Sequence, residues 1–327
     1  MNWGIIATGN IAEKFAKTIN AMCTEEQKLV AVGSRELEKA KKFAIKFEIK
    51  NVYGSYEELA ADPDIDAVYI ATPNNLHYEN TLMCLNSGKH VLCEKPFTIR
   101  AEEAEKLYNT ANEKHLFLME GFWIRFLPLY EELLEIIVSK KYGELRHARC
   151  EYGFIATEKR RERKFLSELG GGALLDIGIY NLGFLQMVMG ASPERFDTEV
   201  RFNEFGTDEF SVLQLVYPNG KTAQCLQTIG MNIERHAALY FDEASVYLPD
   251  FQGAYSMTVK PVNGREYTLE FPPEINGFEY QIREAEQCIS AGKTHSDIYR
   301  PEESIAVLRL MDEIRSRWNM KFECEQK

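Results

Sequence analysis

A chain of 327 residues with a formal net charge of −12 is long enough to bury two separate cores. Its acidity argues against a nucleic-acid backbone as partner, although one local arginine can still hold a small phosphate. No apolar run approaches the roughly 18–20 residues of a membrane span, so no membrane partner is expected.

The N-terminus enters a strand at Trp3-Gly4-Ile5-Ile6 without a charged leader, which predicts no signal peptide. The seven cysteines (23, 84, 93, 150, 225, 288, 324) show no Cys-x-x-Cys and no metal-like spacing. They predict a cytoplasmic protein with thiols serving as small core residues and no metal.

The first ~120 residues alternate strand and helix patterns. Gly4–Thr8 reads as a strand, Asn10–Met22 as a helix with Ile11, Phe15 and Ile19 on one face, Leu29–Gly33 as a strand and Leu37–Phe47 as a helix. A strand follows at 51–53, then a helix start at Ser55, with Glu58 completing a capping box. Strands at 67–71, 90–93 and 116–120 are separated by helices at 77–86 and 101–114. Apolar strands spaced by helices predict a doubly wound parallel sheet covered on both faces.

After Phe122 the pattern changes, so the expected division is 1–122 and 123–327. A helix over 127–139 precedes an alternating strand over 143–154, and an apolar helix at 174–189 follows three glycines. The stretch 196–269 is strand-rich, with a hairpin signal at Pro218-Asn219-Gly220. A last helix is predicted over 301–318, with proline in its first turn. This half reads as an α+β domain with an open, mostly antiparallel sheet.

Chemistry concentrates at strand ends. The turn Ala7-Thr8-Gly9-Asn10-Ile11 follows a strand and opens a helix, the context in which a Gly-rich turn and a helix N-terminus hold a pyrophosphate. The second strand ends at Ser34-Arg35, where an NAD enzyme usually places an acid. A hydroxyl and a guanidinium there suit a 2′-phosphate, so NADP is expected over NAD; the alternative leaves Arg35 solvated and Glu36 as the acid. Thr72, Pro73, Asn74 and His77 follow the fourth strand. His77 is open to two roles, contact with cofactor or substrate and a helix-start ring bonded to backbone.

The strand Lys89–Pro96 ends in Cys-Glu-Lys-Pro, which puts Glu94 and Lys95 at the sheet mouth, one strand over from that cofactor edge. Asp176 and Tyr180 are four apart on a helix with apolar neighbours, so they share a face and the aspartate needs a buried partner. Lys95 is the expected cation for both. A nearby ammonium favours phenolate, lowering a tyrosine from its usual value of about 10. Candidate substrate contacts are Trp123 and Arg125 at the junction, Phe154, and Arg163 in the basic run before the glycines.

Taken together, Gly4–Ala12, Ser34-Arg35, Thr72-Pro73-Asn74 with His77, Glu94-Lys95-Pro96 and the 170–180 run resemble the Gfo/Idh/MocA oxidoreductases. Gly54–Leu59, Phe122-Trp123-x-Arg125-Phe126 and Gly171–Tyr180 look like the dimeric dihydrodiol dehydrogenase branch. The resemblance implies a Rossmann domain and a second domain whose sheet forms a homodimer or higher homo-oligomer. It implies hydride transfer between NADP or NAD and a hydroxyl or carbonyl of a sugar, polyol or cyclic diol. Lys95 matches the family's catalytic lysine and Asp176 its second-domain aspartate; Tyr180 stands where many relatives have histidine. Ala7 departs from the family's first glycine. The rival reading is a dinucleotide-binding sensor without catalysis.

Overall fold

The structure, a computed structural model, describes residues 1–22, 28–157 and 164–326. Cys23 and Arg163 lie outside the described residues. The chain divides into two compact units, Met1–Trp123 with Glu274–Ile305, and Ile124–Pro273 with Ala306–Lys327. It therefore does not part once after Phe122, because 274–305 returns to the first unit.

The first unit holds a six-stranded, fully parallel sheet in the order β3-β2-β1-β4-β5-β6. Its strands are β1 (Asn2–Ile6), β2 (Lys28–Gly33), β3 (Asn51–Tyr53), β4 (Ala67–Ile70), β5 (His90–Glu94) and β6 (Leu118–Gly121). The crossovers are helical: α1 (Asn10–Met22), α2 (Leu37–Phe47), α3 (Tyr56–Ala61), α4 (His77–Asn86) and α5 (Ala101–Glu113). Every residue of β4 and β6 is buried, as apolar strands covered on both faces must be. Phe15 of α1 stacks on Tyr69 of β4 at 3.9 Å between ring centroids. The chain winds outward in both directions from β1 and β4, which makes their carboxyl ends the switch point of the sheet.

Ser55 caps α3 as expected, accepting the Glu58 N–H at 3.1 Å. The Glu58 carboxylate reaches back to the Gly54 N–H at 3.2 Å, one residue earlier than a regular capping box requires.

A further helix without a sequence-based expectation, α8 (Phe278–Ser290), completes this unit. It buries Phe278, Ile282, Ala285 and Cys288, a helical stripe that needs an apolar surface to cover it. Trp3 Nε1 donates to Glu286 at 2.8 Å, and Asn276 donates to Thr18 at 2.8 Å.

The second unit is built on an eight-stranded sheet in the order β14-β13-β12-β11-β7-β10-β9-β8. The strands are β7 (Leu145–Ile155), β8 (Arg195–Phe202), β9 (Asp208–Val216), β10 (Thr222–Thr228), β11 (Gly230–Phe241), β12 (Ala244–Pro249), β13 (Ser256–Pro261) and β14 (Tyr267–Glu270). All pairs are antiparallel except β7 with β10. The predicted hairpin joins β9 to β10, with Asn219 and Gly220 at φ 64 and 73, the left-handed values such a turn requires. Its helices are α6 (Pro128–Val138) and α7 (Ile179–Met189), while the division between units falls inside α9 (Pro301–Arg317).

The apolar helix expected over 174–189 begins as a π-helical turn, Leu174–Gly178, and continues as α7. The stretch Ser167–Met189 is long and apolar enough by composition to cross a membrane, contrary to the expectation that no run reaches that length. In the fold, 89% of its most apolar window is buried, so it serves as the core helix lying on the sheet.

Candidate active site

Because the first sheet is parallel throughout, the segments after β1, β2, β4 and β5 emerge at one edge. That edge collects Thr8, Gly9, Asn10, Ile11, Ser34, Arg35, Thr72, Pro73, Asn74, His77, Glu94 and Lys95. Ala7 takes φ 83, a left-handed value that an alanine adopts only at a cost, and its N–H bonds the Gly33 carbonyl at 3.0 Å. The turn thus keeps the backbone path of a glycine without having one. A Cβ placed on Gly9 would meet nothing within 4 Å, so the turn faces open space in front of the α1 N-terminus. Free N–H groups and the helix dipole there favour an anion. The residues present fit a dinucleotide pyrophosphate.

Ser34 is buried, and its hydroxyl accepts the Glu36 N–H at 3.3 Å. Glu36 is paired with Lys39, while Arg35 is exposed and bears on the Tyr56 phenol. Of the two roles left open for His77, the structure shows the backbone-bonded one. The ring is 1% exposed, with Nδ1 at 2.8 Å from the Pro96 carbonyl and Nε2 at 3.0 Å from the Thr72 carbonyl.

Lys95 is half-buried, and its peptide to Pro96 is cis. Two buried carboxylates hold its surroundings. Glu120, at the end of β6, accepts the Phe97 N–H at 3.1 Å, the Tyr299 hydroxyl at 3.2 Å and the Ser304 hydroxyl. Burial raises its carboxyl above the usual range. Glu94 accepts the Tyr69 hydroxyl. Burial lifts Glu94 to about 7, with Tyr69, Lys95 and Lys14 pulling the other way.

Lys14 was not anticipated from the sequence. Its ammonium sits 4.0 Å from the ring centroids of both Trp123 and Phe278. Burial lowers it to about 8, against Glu94 and Glu279. Trp123, expected to face substrate, is buried within the first unit under this cation.

In the second unit Asp176 is paired with Lys164. Lys164 also lies 5.4 Å from the Phe154 ring. Phe154 and Tyr152 alternate on one face of β7 and pack on Phe165, Ala173, Ile177 and Ile229. Tyr180 is 5% exposed, its ring 6.2 Å from that of Tyr152. Arg235 donates to the Tyr152 hydroxyl at 3.2 Å and to Gln252 at 2.6 Å. Arg125 is half-buried in this unit. The structure therefore joins Asp176, Tyr180 and Phe154 through Lys164 and Tyr152. Lys164 was visible as the end of the basic run and Tyr152 as the i−2 neighbour of Phe154, whereas Arg235 carried no signal.

Comparison with known proteins agrees with this architecture. The model of the oxidoreductase family with an NAD-binding Rossmann fold, GFO/IDH/MocA, matches residues 1–122. The GFO/IDH/MocA C-terminal domain matches 130–247. A trans-1,2-dihydrobenzene-1,2-diol dehydrogenase of Xenopus tropicalis is 36% identical, covering 95% of this chain and 96% of that protein. The enzyme of the same name from Mus musculus is 34% identical, covering 98% of each. Among solved structures, aldose-aldose oxidoreductase from Caulobacter crescentus complexed with glycerol superposes with TM-score 0.86 at 25% identity, covering 97% of this chain and 96% of that one. A 3-ketoreductase from Actinomadura kijaniata in complex with NADP and TDP-benzene gives TM-score 0.87 at 25% identity, covering 97% of each. With a parallel-sheet edge fit for a dinucleotide and relatives that match over the whole chain, this protein belongs to the Gfo/Idh/MocA family of oxidoreductases.

Proposed function

We propose that the protein is an NADP-dependent dehydrogenase or reductase acting on a hydroxyl or carbonyl carbon of a sugar, polyol or cyclic diol. The observation that carries this reading is Lys95, half-buried at the edge where the cofactor turn also emerges. Its loop is tied down by His77 and Glu120. The names of the relatives support the substrate range, and Ser34 with Arg35 supports NADP over NAD.

The Gly9–Ile11 turn would hold the pyrophosphate, Arg35 the 2′-phosphate, and 72–74 with Glu94 the remainder. When bound, the cofactor supplies the hydride chemistry. In oxidation Tyr180 takes the hydroxyl proton as general base, and in reduction it returns it. Lys95 stabilises the developing oxyanion. Asp176, held by Lys164, orients the reacting hydroxyl.

We assign the enzyme to the reducing cytoplasm, in keeping with its buried free thiols at 84, 93, 150, 225 and 288. The eight-stranded sheet carries a depression of about 540 Å³ bordered by Arg149, Glu151, Gln224 and Trp318, and we assign the homo-oligomer contact to this sheet.

The test is titration with NADPH and NADH by nicotinamide fluorescence, followed by a turnover screen of wild type and Lys95→Met. Tighter NADPH binding, with turnover lost in Lys95→Met and binding kept, is expected. Failure to bind either cofactor would sink the dehydrogenase reading. Unchanged turnover in Lys95→Met would remove Lys95 from the mechanism.

A further inference from the structure

Asp208, the first residue of β9, has no part in the chemistry above, yet it is fully buried at 0% exposure. Its Oδ2 accepts the Leu174 N–H at 2.7 Å, and Leu174 opens the π-helical turn that carries Asp176. Among the described residues its Oδ1 has no hydrogen-bond partner. This oxygen is pressed against Gly172, where an added Cβ would collide with it. Gly172 also takes φ 109, so the position excludes a side chain on two grounds. The carboxylate thus occupies the N-terminal end of the continuous helical stretch 174–189, where unpaired N–H groups and the dipole favour an anion.

The same stretch is held a second time from the same sheet. Asn181 donates to Gln227 at 2.8 Å, and Gln227 donates to Ser211 at 2.7 Å. Asp208 and Ser211 both belong to β9. Asp176 and Tyr180 therefore lie between two buried polar anchors that reach residues 174 and 181. A π-helical turn is a tolerated irregularity that often marks a working site, and here a charge-assisted bond fixes its first residue.

We propose that Asp208 is a positioning residue for the reaction: it fixes the 172–178 turn that aims Asp176 and Tyr180 and never touches substrate itself. The inference rests on the catalytic reading of Tyr180. Among the charged groups on the packed elements, Arg315 of α9 acts on Asp208 but is held by Asp312 and Glu325 at 2.6 and 2.8 Å. Glu209, next on β9, is turned to Arg201, and Lys164 is paired with Asp176. Burial raises Asp208 to about 7, with the Leu174 N–H and Arg315 opposing, so the test is run at pH 8, where the carboxylate form prevails.

Asp208→Ala removes the acceptor, while Asp208→Asn keeps one oxygen for the Leu174 N–H. On the full chain, kcat, KM, NADPH affinity and amide hydrogen exchange over 172–180 are measured. Asp208→Ala is expected to lose kcat on the order of a hundredfold, the scale of a misplaced catalytic group, with NADPH affinity unchanged. Its amides at 172–180 are expected to exchange about tenfold faster or more, and Asp208→Asn to recover most of both losses. A folded Asp208→Ala with wild-type kcat and wild-type exchange overturns the proposal. So does a kcat loss unaccompanied by faster exchange at 172–180. If Asp208→Ala fails to fold, Gly172→Ala displaces the same carboxylate; faster exchange with lower kcat there supports the proposal, and no change in either overturns it. Tyr180→Phe separates the two readings. Full activity in that variant removes Tyr180 from the chemistry, while the exchange data still judge the hold of Asp208 on the turn.

Discussion

Nδ1 of His77 lies 2.8 Å from the carbonyl oxygen of Pro96, which links the start of α4 to the loop that bears Lys95. Nε2 meets a second carbonyl, that of Thr72. Carbonyls only accept, so each of these bonds needs a proton on the ring nitrogen that makes it. His77→Leu cuts both ties. It is expected to lower kcat by about tenfold or more through a displaced Lys95, with a smaller change in NADPH affinity. His77→Gln, able to reach one carbonyl, should fall between. Steady-state kinetics beside cofactor titration check this, and a His77→Leu enzyme of normal kcat would refute it.

Glu120 serves the same loop from the other side. Three donors converge on its carboxylate, from Phe97, Tyr299 and Ser304. Glu120→Gln sets an NH₂ against donors and strands one of them in the core. The expected loss is about 1–3 kcal/mol per unsatisfied group, read as a lower urea midpoint with an unchanged slope.

The shifted carboxyl of Glu94 has a sign that runs against ordinary acid denaturation. Its folded value, about 7, lies above the ordinary carboxyl value of 4.5, so between the two the folded state binds more protons than the unfolded one. Stability then falls as pH rises through that window. Lys14 is the converse case, since its folded value of about 8 lies below 10.5. There the unfolded state binds more protons, and stability contributed by this group rises from about pH 8 upward. Urea unfolding from pH 5 to 10 should show both trends. Glu94→Gln should flatten the first and Lys14→Met the second; slopes unaltered by these changes would contradict the assignment.

Arg35 is exposed beside a buried Ser34, and the nearby acid Glu36 is engaged by Lys39. Arg35→Ala is expected to weaken NADPH binding by about tenfold or more, as loss of a charge-assisted phosphate contact does. NADH binding should hardly change. Equal losses for both cofactors would show that Arg35 acts on something other than the 2′-phosphate.

Local patterns made much of this molecule readable. Gly9 after an apolar strand, Lys95 at the end of another, and Asn219-Gly220 between alternating runs each state their geometry within a few residues. Partners remote in sequence are another matter. Ser304 reaches Glu120 across 184 positions, and no periodicity encodes that meeting. Lys164 was visible as a charge, but its pairing with Asp176 depends on how the glycine turn folds back. α8 escaped notice because its start carries no Ser, Thr or Asp cap. Glu279, just inside the helix, instead accepts the N–H groups of Ile275, Asn276 and Gly277. The π-helical turn has no sequence signature, and Asp208, which accepts from its first residue, lies 34 positions from that residue.

The return of segment 274–305 to the first unit has a consequence for the order in which the protein comes into being. As the chain leaves the ribosome, β1 to β6 are present long before residue 274. Yet Trp3 still waits for Glu286, and the buried carboxylate of Glu120 waits for the hydroxyls of Tyr299 and Ser304. The part that is translated first thus stays incomplete until segment 274–305 emerges, and its cofactor edge acquires its full support only once Ser304 has been made.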